Sequence, residues 1–199
     1  MIDKHIRRHA REFWQRFRSH KFEKTESGLY FPAARVAAGG VYSFSPDGGK
    51  TWQDAPNLIT EQGREHLLGV ALAGQSAVAG WYMALFGSNY TPTSALTAAT
   101  FPVTAGELTS GTEGYSNPTR RQWTPGPVDN AEVSNQAAPA EFAMKTASHV
   151  TVWGAALLSE QAKGSTAGVL MSAANFGVDM KFIDGSTFPV RYRVYLSEV

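Results

Sequence analysis

The 199-residue chain contains no cysteine. Disulfides, thiolate metal sites and cysteine nucleophiles are therefore excluded. No apolar run approaches the roughly 18 residues that a membrane-spanning helix needs. The opening "MIDKHIRRHAREFW" carries charges where a signal peptide would have an apolar stretch. We expect a soluble protein made in the cytoplasm. No G-x-S-x-G elbow, H-E-x-x-H pair or Walker loop occurs. Nothing repeats at a period of about 20–50 residues, which excludes solenoids and propellers.

What is present suits one folded body and an arm. Apolar residues make up 43% of the chain and charged residues 18%, enough to bury a core. The net charge of +1 is unevenly spread. Residues 1–26 carry eight Lys/Arg against four Asp/Glu, or +4; the remainder carries ten against thirteen, or −3. We place the boundary between residues 27 and 28. In the arm, Ile6, Phe13, Trp14 and Phe17 share one helical face, which predicts an amphipathic helix over residues 3–21. Such a helix could lie on a membrane, touch nucleic acid or dock on protein. Its aromatic stripe favours docking over phosphate binding and over a membrane. His5 and His9 are four apart, but no third ligand is spaced to join them.

From residue 28 the pattern turns to β-structure. "GLYFPAARV" and "GGVYSFS" are short runs rich in β-formers and bounded by glycine. "NLITEQGREHLLGVALAG" then switches to helical period. Thr60 is placed to cap the helix and Gly74 to stop it, with Leu67, Leu68, Ala71 and Leu72 as an apolar stripe. "GWYMALFG" reads as a buried strand, and residues 88–106 as a long surface loop. The β-signal returns in "AEFAMKTA", "HVTVWGAALLS" and "GVLMSAANF". In the last segment Phe188, Val190, Tyr192, Val194 and Leu196 alternate with Thr187, Pro189, Arg191, Arg193 and Tyr195, a strand buried on one face. These elements predict a mainly β fold: an antiparallel β-sandwich, jelly-roll or Ig-like, with one internal helix and an N-terminal helical arm.

The most specific string is "SFSPDGGKTW". From Ser45 it reads S-x-D-x-G-x-T-W, the Asp-box pattern known from sialidase propellers. Ser45, Asp47, Gly49, Thr51 and Trp52 have a local explanation. Asp47 can accept backbone hydrogen bonds within a turn, glycines permit positive φ, and Trp52 can pin the hairpin to the body. A sialidase would need several boxes and at least four blades of about 40–50 residues each, which this length barely holds. We therefore expect a structural hairpin and no enzyme.

Other candidates are weaker. Arg120 and Arg121 lie near Glu113 and Tyr115 without forming a recognisable site. Glu107, Glu113, Glu132 and Glu141 could pair as acid and base, but loop carboxylates are usually solvated. His66 and His149 read as structural histidines. Trp81, Tyr82, Tyr90, Tyr115 and Trp123 fall in or near loops, where aromatics can stack on sugar rings or anchor a protein interface. Nothing calls for a metal or other cofactor.

Several stretches taken together resemble small virion proteins of tailed bacteriophages. They are "NLITEQGREHLL" followed by "GWYMALFGSNYTPT", then "TRRQWTPG", "HVTVWGAALLSEQAKGSTAGVLMSAANF" and "GSTFPVRYRVYLS". The likeness covers about residues 41–199 and leaves the arm outside. It implies a non-enzymatic virion protein made in the host bacterial cytoplasm. The implied role is head decoration or minor capsid protein, with neck, collar or tail component as the alternative. The implied partners are major capsid protein or neck and tail proteins and further copies of the chain, with a glycan as a further candidate.

Overall fold

The computed structural model describes residues 22–24, 26, 28, 30–32 and 36–198. The predicted arm helix, with Ile6, Phe13, Trp14 and Phe17, lies outside them. The chain forms two compact units, Met1–Ala37 with Ser197–Val199 and Ala38–Leu196. In the first, β1 (Phe22–Lys24) and β2 (Tyr30–Pro32) pair antiparallel, with Glu23 opposite Phe31.

The larger unit is an antiparallel β-sandwich. Its elements are β3 (Val36–Phe44), β4 (Gln53–Pro56), β5 (Leu58–Ile59), α1 (Glu61–Leu72), β6 (Tyr82–Phe86), a π-helical turn (Pro102–Gly106), β7 (Gly114–Tyr115), β8 (Arg121–Gln122), β9 (Glu132–Ser134), β10 (Ala140–Lys145), β11 (Val150–Leu158), β12 (Leu170–Phe182) and β13 (Thr187–Glu198). One sheet runs β4-β3-β13-β10-β7, with β9 also on β13; the other runs β5-β12-β11-β6-β8.

Period-two patterning builds the space between the sheets. β10 alternates buried Ala140, Phe142 and Met144 with exposed Glu141, Ala143 and Lys145. β13 turns Phe188, Val190 and Tyr192 inward, and β3 adds Tyr42 and Phe44. They meet Met83, Leu85, Val152, Leu157, Met171 and Phe176 of the second sheet in one apolar cluster. Phe44 stacks on Phe176 with ring centroids 4.1 Å apart. The Tyr42 hydroxyl reaches Ser172 Oγ at 2.9 Å. The expected alternation of β13 fades at its end, where Val194 is half-buried and Leu196 is 52% exposed.

Residues 88–106 form an irregular segment with many exposed residues and one π-helical turn, and its apolar side chains cover the second sheet. Leu96, Ala98, Phe101 and Ala105 pack against Ala84, Phe86, Ala156, Leu158, Leu170 and Ala173, the outer side of the second sheet. Phe101 meets Phe86 edge to face, at 82°. This cover explains why "GWYMALFG" lacks alternation: both faces of β6 are buried, so both must be apolar.

The internal helix forms as its caps dictate but packs the other way round. Thr60 Oγ1 accepts from the Gly63 amide at 3.0 Å and donates to the Leu170 carbonyl. Gly74 follows the helix at φ 67°. The buried residues of α1 are Gly63 and Gly69, whereas Leu67, Leu68 and Leu72 are exposed. The expected leucine stripe is therefore not the packing face. A Cβ on Gly63 would collide with the Met171 carbonyl oxygen. The helix backbone approaches β12 so closely that only glycine fits between them.

Candidate functional site

The "SPDGGKTW" turn joins β3 to β4 and is closed by its own side chains. Asp47 Oδ1 accepts from the Ser45 hydroxyl at 2.6 Å, the Thr51 amide at 2.9 Å and the Lys50 amide at 3.0 Å. Asp47 Oδ2 accepts from the Thr51 hydroxyl at 2.7 Å. The Ser45 hydroxyl in turn accepts from the Gly49 amide at 2.7 Å. Gly48 and Gly49 sit at φ 73° and 100°, which side chains resist. The bond from Ser45, followed by those from Thr51, holds the Asp47 carboxyl well below the usual aspartate range. A carboxylate so engaged acts as the organiser of its turn.

Trp52 follows the turn at the start of the β4 side of the hairpin. It is half-buried and lies outside the apolar cluster. Its Nε1 donates to the Gly49 carbonyl at 3.2 Å, and the Arg191 guanidinium stacks over its ring, 3.6 Å from the centroid. The hairpin is thus pinned to β13 by a cation–π contact worth about 0.5–2 kcal/mol.

Beside this stack lies a groove of about 310 Å³ across the outer face of the first sheet. Ser43, Trp52, Asp54, Gln136, Arg191 and Arg193 line it. Ser43 Oγ donates to Asp54 Oδ1 at 2.6 Å. A second hollow of about 280 Å³, lined by Asp129, Asn130 and Glu132, shares Ser134 with the first. The two arginines face outward because they occupy alternate positions of β13. Sequence reasoning assigned that alternation but gave those positions no function.

Glu107 and Arg120 form a buried ion pair. Arg120 Nε and Nη2 donate to the two Glu107 oxygens at 2.7 and 2.8 Å, with neither side chain exposed. Arg120 also donates to the carbonyls of Glu160 at 2.9 Å and Ser165 at 3.1 Å. Glu107 Oε2 accepts from the Gly164 amide at 3.0 Å. Lys163 Nζ donates to the Tyr115 carbonyl at 2.7 Å and lies 3.6 Å from the centre of its ring. The cluster therefore ties three loop segments together. Glu107 is not the solvated carboxylate expected from sequence.

The weaker candidates weighed from the sequence scatter. The bonds that Glu113 accepts from the Thr146 hydroxyl and the Ala147 amide hold its carboxyl below the usual range. Glu132 pairs with Arg193 at 3.3 Å, and Glu141 is exposed. His66 packs edge-on to Trp81, and His149 contacts Ser148. Tyr115 and Trp123 are core residues; Trp123 donates to the Tyr192 carbonyl at 3.2 Å. Trp81, Tyr82 and Tyr90 are half-buried. Trp52, which was not among these candidates, lines the groove described above. Among the described residues no group of three His, Asp or Glu is placed to hold a metal ion, and no helix is long and apolar enough to cross a membrane. Comparison with protein-family models and with curated proteins finds no match.

Proposed function

We propose that the protein is a non-enzymatic structural component of a tailed-bacteriophage virion, a head decoration or minor capsid protein that stabilises the particle through protein–protein contacts. Its partners are the major capsid protein and further copies of the chain. The carrying observation is α1, which hides Gly63 and Gly69 and turns Leu68 and Leu72 outward, 60% and 82% exposed. Adjacent leucines on an outer helical face are apolar surface of the kind that a neighbouring subunit covers. The carboxylates support the non-enzymatic part of the reading. Asp47, Glu107 and Glu113 are engaged in holding backbone and loops. The likeness of residues 41–199 to small phage virion proteins points the same way, and a neck, collar or tail position is the alternative within it.

We read the sandwich as Ig-like. The order β6-β11-β12, with β11 and β12 joined as a hairpin, follows the C-F-G order of that class, and β13 is an added strand between β3 and β10.

The test is to locate the chain in intact particles with a labelled antibody fragment. Regular decoration of the head is the expected result, and labelling confined to neck or tail selects the alternative. Purified particles that lack the chain would sink the virion reading. A variant without residues 1–26 is expected to fold and to fail to incorporate, which tests the docking arm. A second reading, glycan binding at the particle surface, is favoured by the groove beside Trp52.

A further inference from the structure

We infer that the trough on the outer face of the first sheet, from Trp52 through Ser134 to Asn130, is a binding site for an uncharged oligosaccharide. The inference rests on the glycan reading and not on the chain's place in a particle.

The shape supports an extended ligand. Two hollows of about 310 and 280 Å³ share Ser134 as a lining residue. Each lies near the lower end of the size range of small-molecule sites, about 300 Å³. Two small hollows with a shared lining residue suit a ligand of several small rings better than one compact ligand.

The lining selects the chemistry. Arg191 and Arg193 bring positive charge; Asp54, Asp129 and Glu132 bring negative charge. A polyanion would meet three carboxylates, and a basic peptide two guanidinium groups. A hydroxyl-rich neutral ligand meets the whole set favourably, because each hydroxyl both donates and accepts. Asp, Arg, Gln and Asn side chains are planar and can engage two neighbouring hydroxyls at once.

Two details prepare the site. Arg191 is held flat on Trp52 by stacking, and among the described residues no carboxylate pairs with it. Its Nε is screened from solvent and has no hydrogen-bond partner among the described residues. The guanidinium is thus oriented without an ion pair that a ligand would first have to break. Trp52 is only half-buried and lines the groove beside Arg191, an aromatic of the kind that packs on the C–H face of a sugar.

The experiment is an array of neutral and acidic oligosaccharides probed with the whole chain, followed by titration of the strongest neutral ligand. Selective retention of neutral glycans is expected. The double variant Asp54→Ala, Gln136→Ala should weaken that ligand at least tenfold while the melting temperature stays within a few degrees. Arg193→Ala should weaken it without affecting the Trp52 stack. Absence of any retained neutral glycan, a preference for acidic ones, or undiminished binding by the double variant would each overturn the inference. The virion reading is judged separately, by labelling of particles.

Discussion

Arg120 and Glu107 meet side by side, two N–H groups on two carboxylate oxygens, at the centre of a loop cluster that excludes water from both side chains. Removing one partner strands the other charge without solvent. Glu107→Gln is expected to destabilise the fold by about 3–5 kcal/mol, and Arg120→Met by a similar amount. Replacing both with apolar residues should cost less than either single change. Chemical denaturation of the three variants checks this, and a double variant worse than the singles would contradict it.

Asp47 organises its turn through four accepted hydrogen bonds. Asp47→Ala should lower the melting temperature and leave binding in the neighbouring groove unchanged to within a few-fold. Loss of binding with an unchanged melting temperature would show that the turn had been misread.

The same carboxylate imposes a pH dependence. Its folded pKa is depressed, so the folded state binds fewer protons than the unfolded one as acid is added. Its contribution to stability is present above the ordinary aspartate value of about 4 and falls away below it, as pH drops towards the depressed folded value. Glu113 and Asp184, also depressed, add in the same direction. Thermal melts from pH 6 down to about 2 should therefore show a steeper loss in the native chain than in Asp47→Ala. Parallel curves would refute the assignment.

α1 offers a test of its packing. Gly63→Ala should cost about 1–3 kcal/mol, because a methyl group there meets β12 backbone rather than a movable side chain. Leu68→Ser with Leu72→Ser should change stability by no more than about 0.5 kcal/mol each, as expected for exposed positions. If the leucines cost more than the glycine, the helix packs on its other face.

The β-turn at Asp129–Glu132 carries two non-glycine residues at positive φ, Asn130 at 48° and Ala131 at 58°. Asparagine tolerates that region and alanine does not. Ala131→Gly should therefore stabilise the protein by up to about 1 kcal/mol. An unchanged or lowered unfolding midpoint would count against this conformation.

Much of the fold was legible wherever one local rule acted alone. The alternation of Phe188, Val190 and Tyr192 marked a one-sided strand, and Thr60 and Gly74 marked the ends of a helix. The internal closure of "SPDGGKTW" followed from residue types within a few positions of one another. Legibility failed where two distant segments compete for the same surface. The apolar stripe of α1 predicted the wrong packing face, because a close approach to Met171 outweighed leucine burial. Residues 88–106 run as the loop expected from their small, partly polar composition, but that composition hid the covering role of four of them. Leu96 and Phe101 nonetheless cover the back of β6, a face that no local pattern reveals as needing cover. Glu107 and Arg120 are thirteen positions apart in loops, and nothing between them signals a buried pair. The groove was half visible: Arg191 and Arg193 stood at outward positions, but their meeting with Trp52 and Asp54 depends on β3 and β4 lying beside β13.

The amino-acid sequence by itself determined the element types, the one-sided strands and the closed Asp47 turn, because these rest on backbone preferences and contacts between near neighbours. Tertiary structure alone decided which side of α1 is buried, which loop covers the second sheet and where Trp52 points. Those outcomes depend on excluded volume and desolvation between segments far apart in the chain, 130 residues in the case of Tyr42 and Ser172, and no short window of sequence contains both partners.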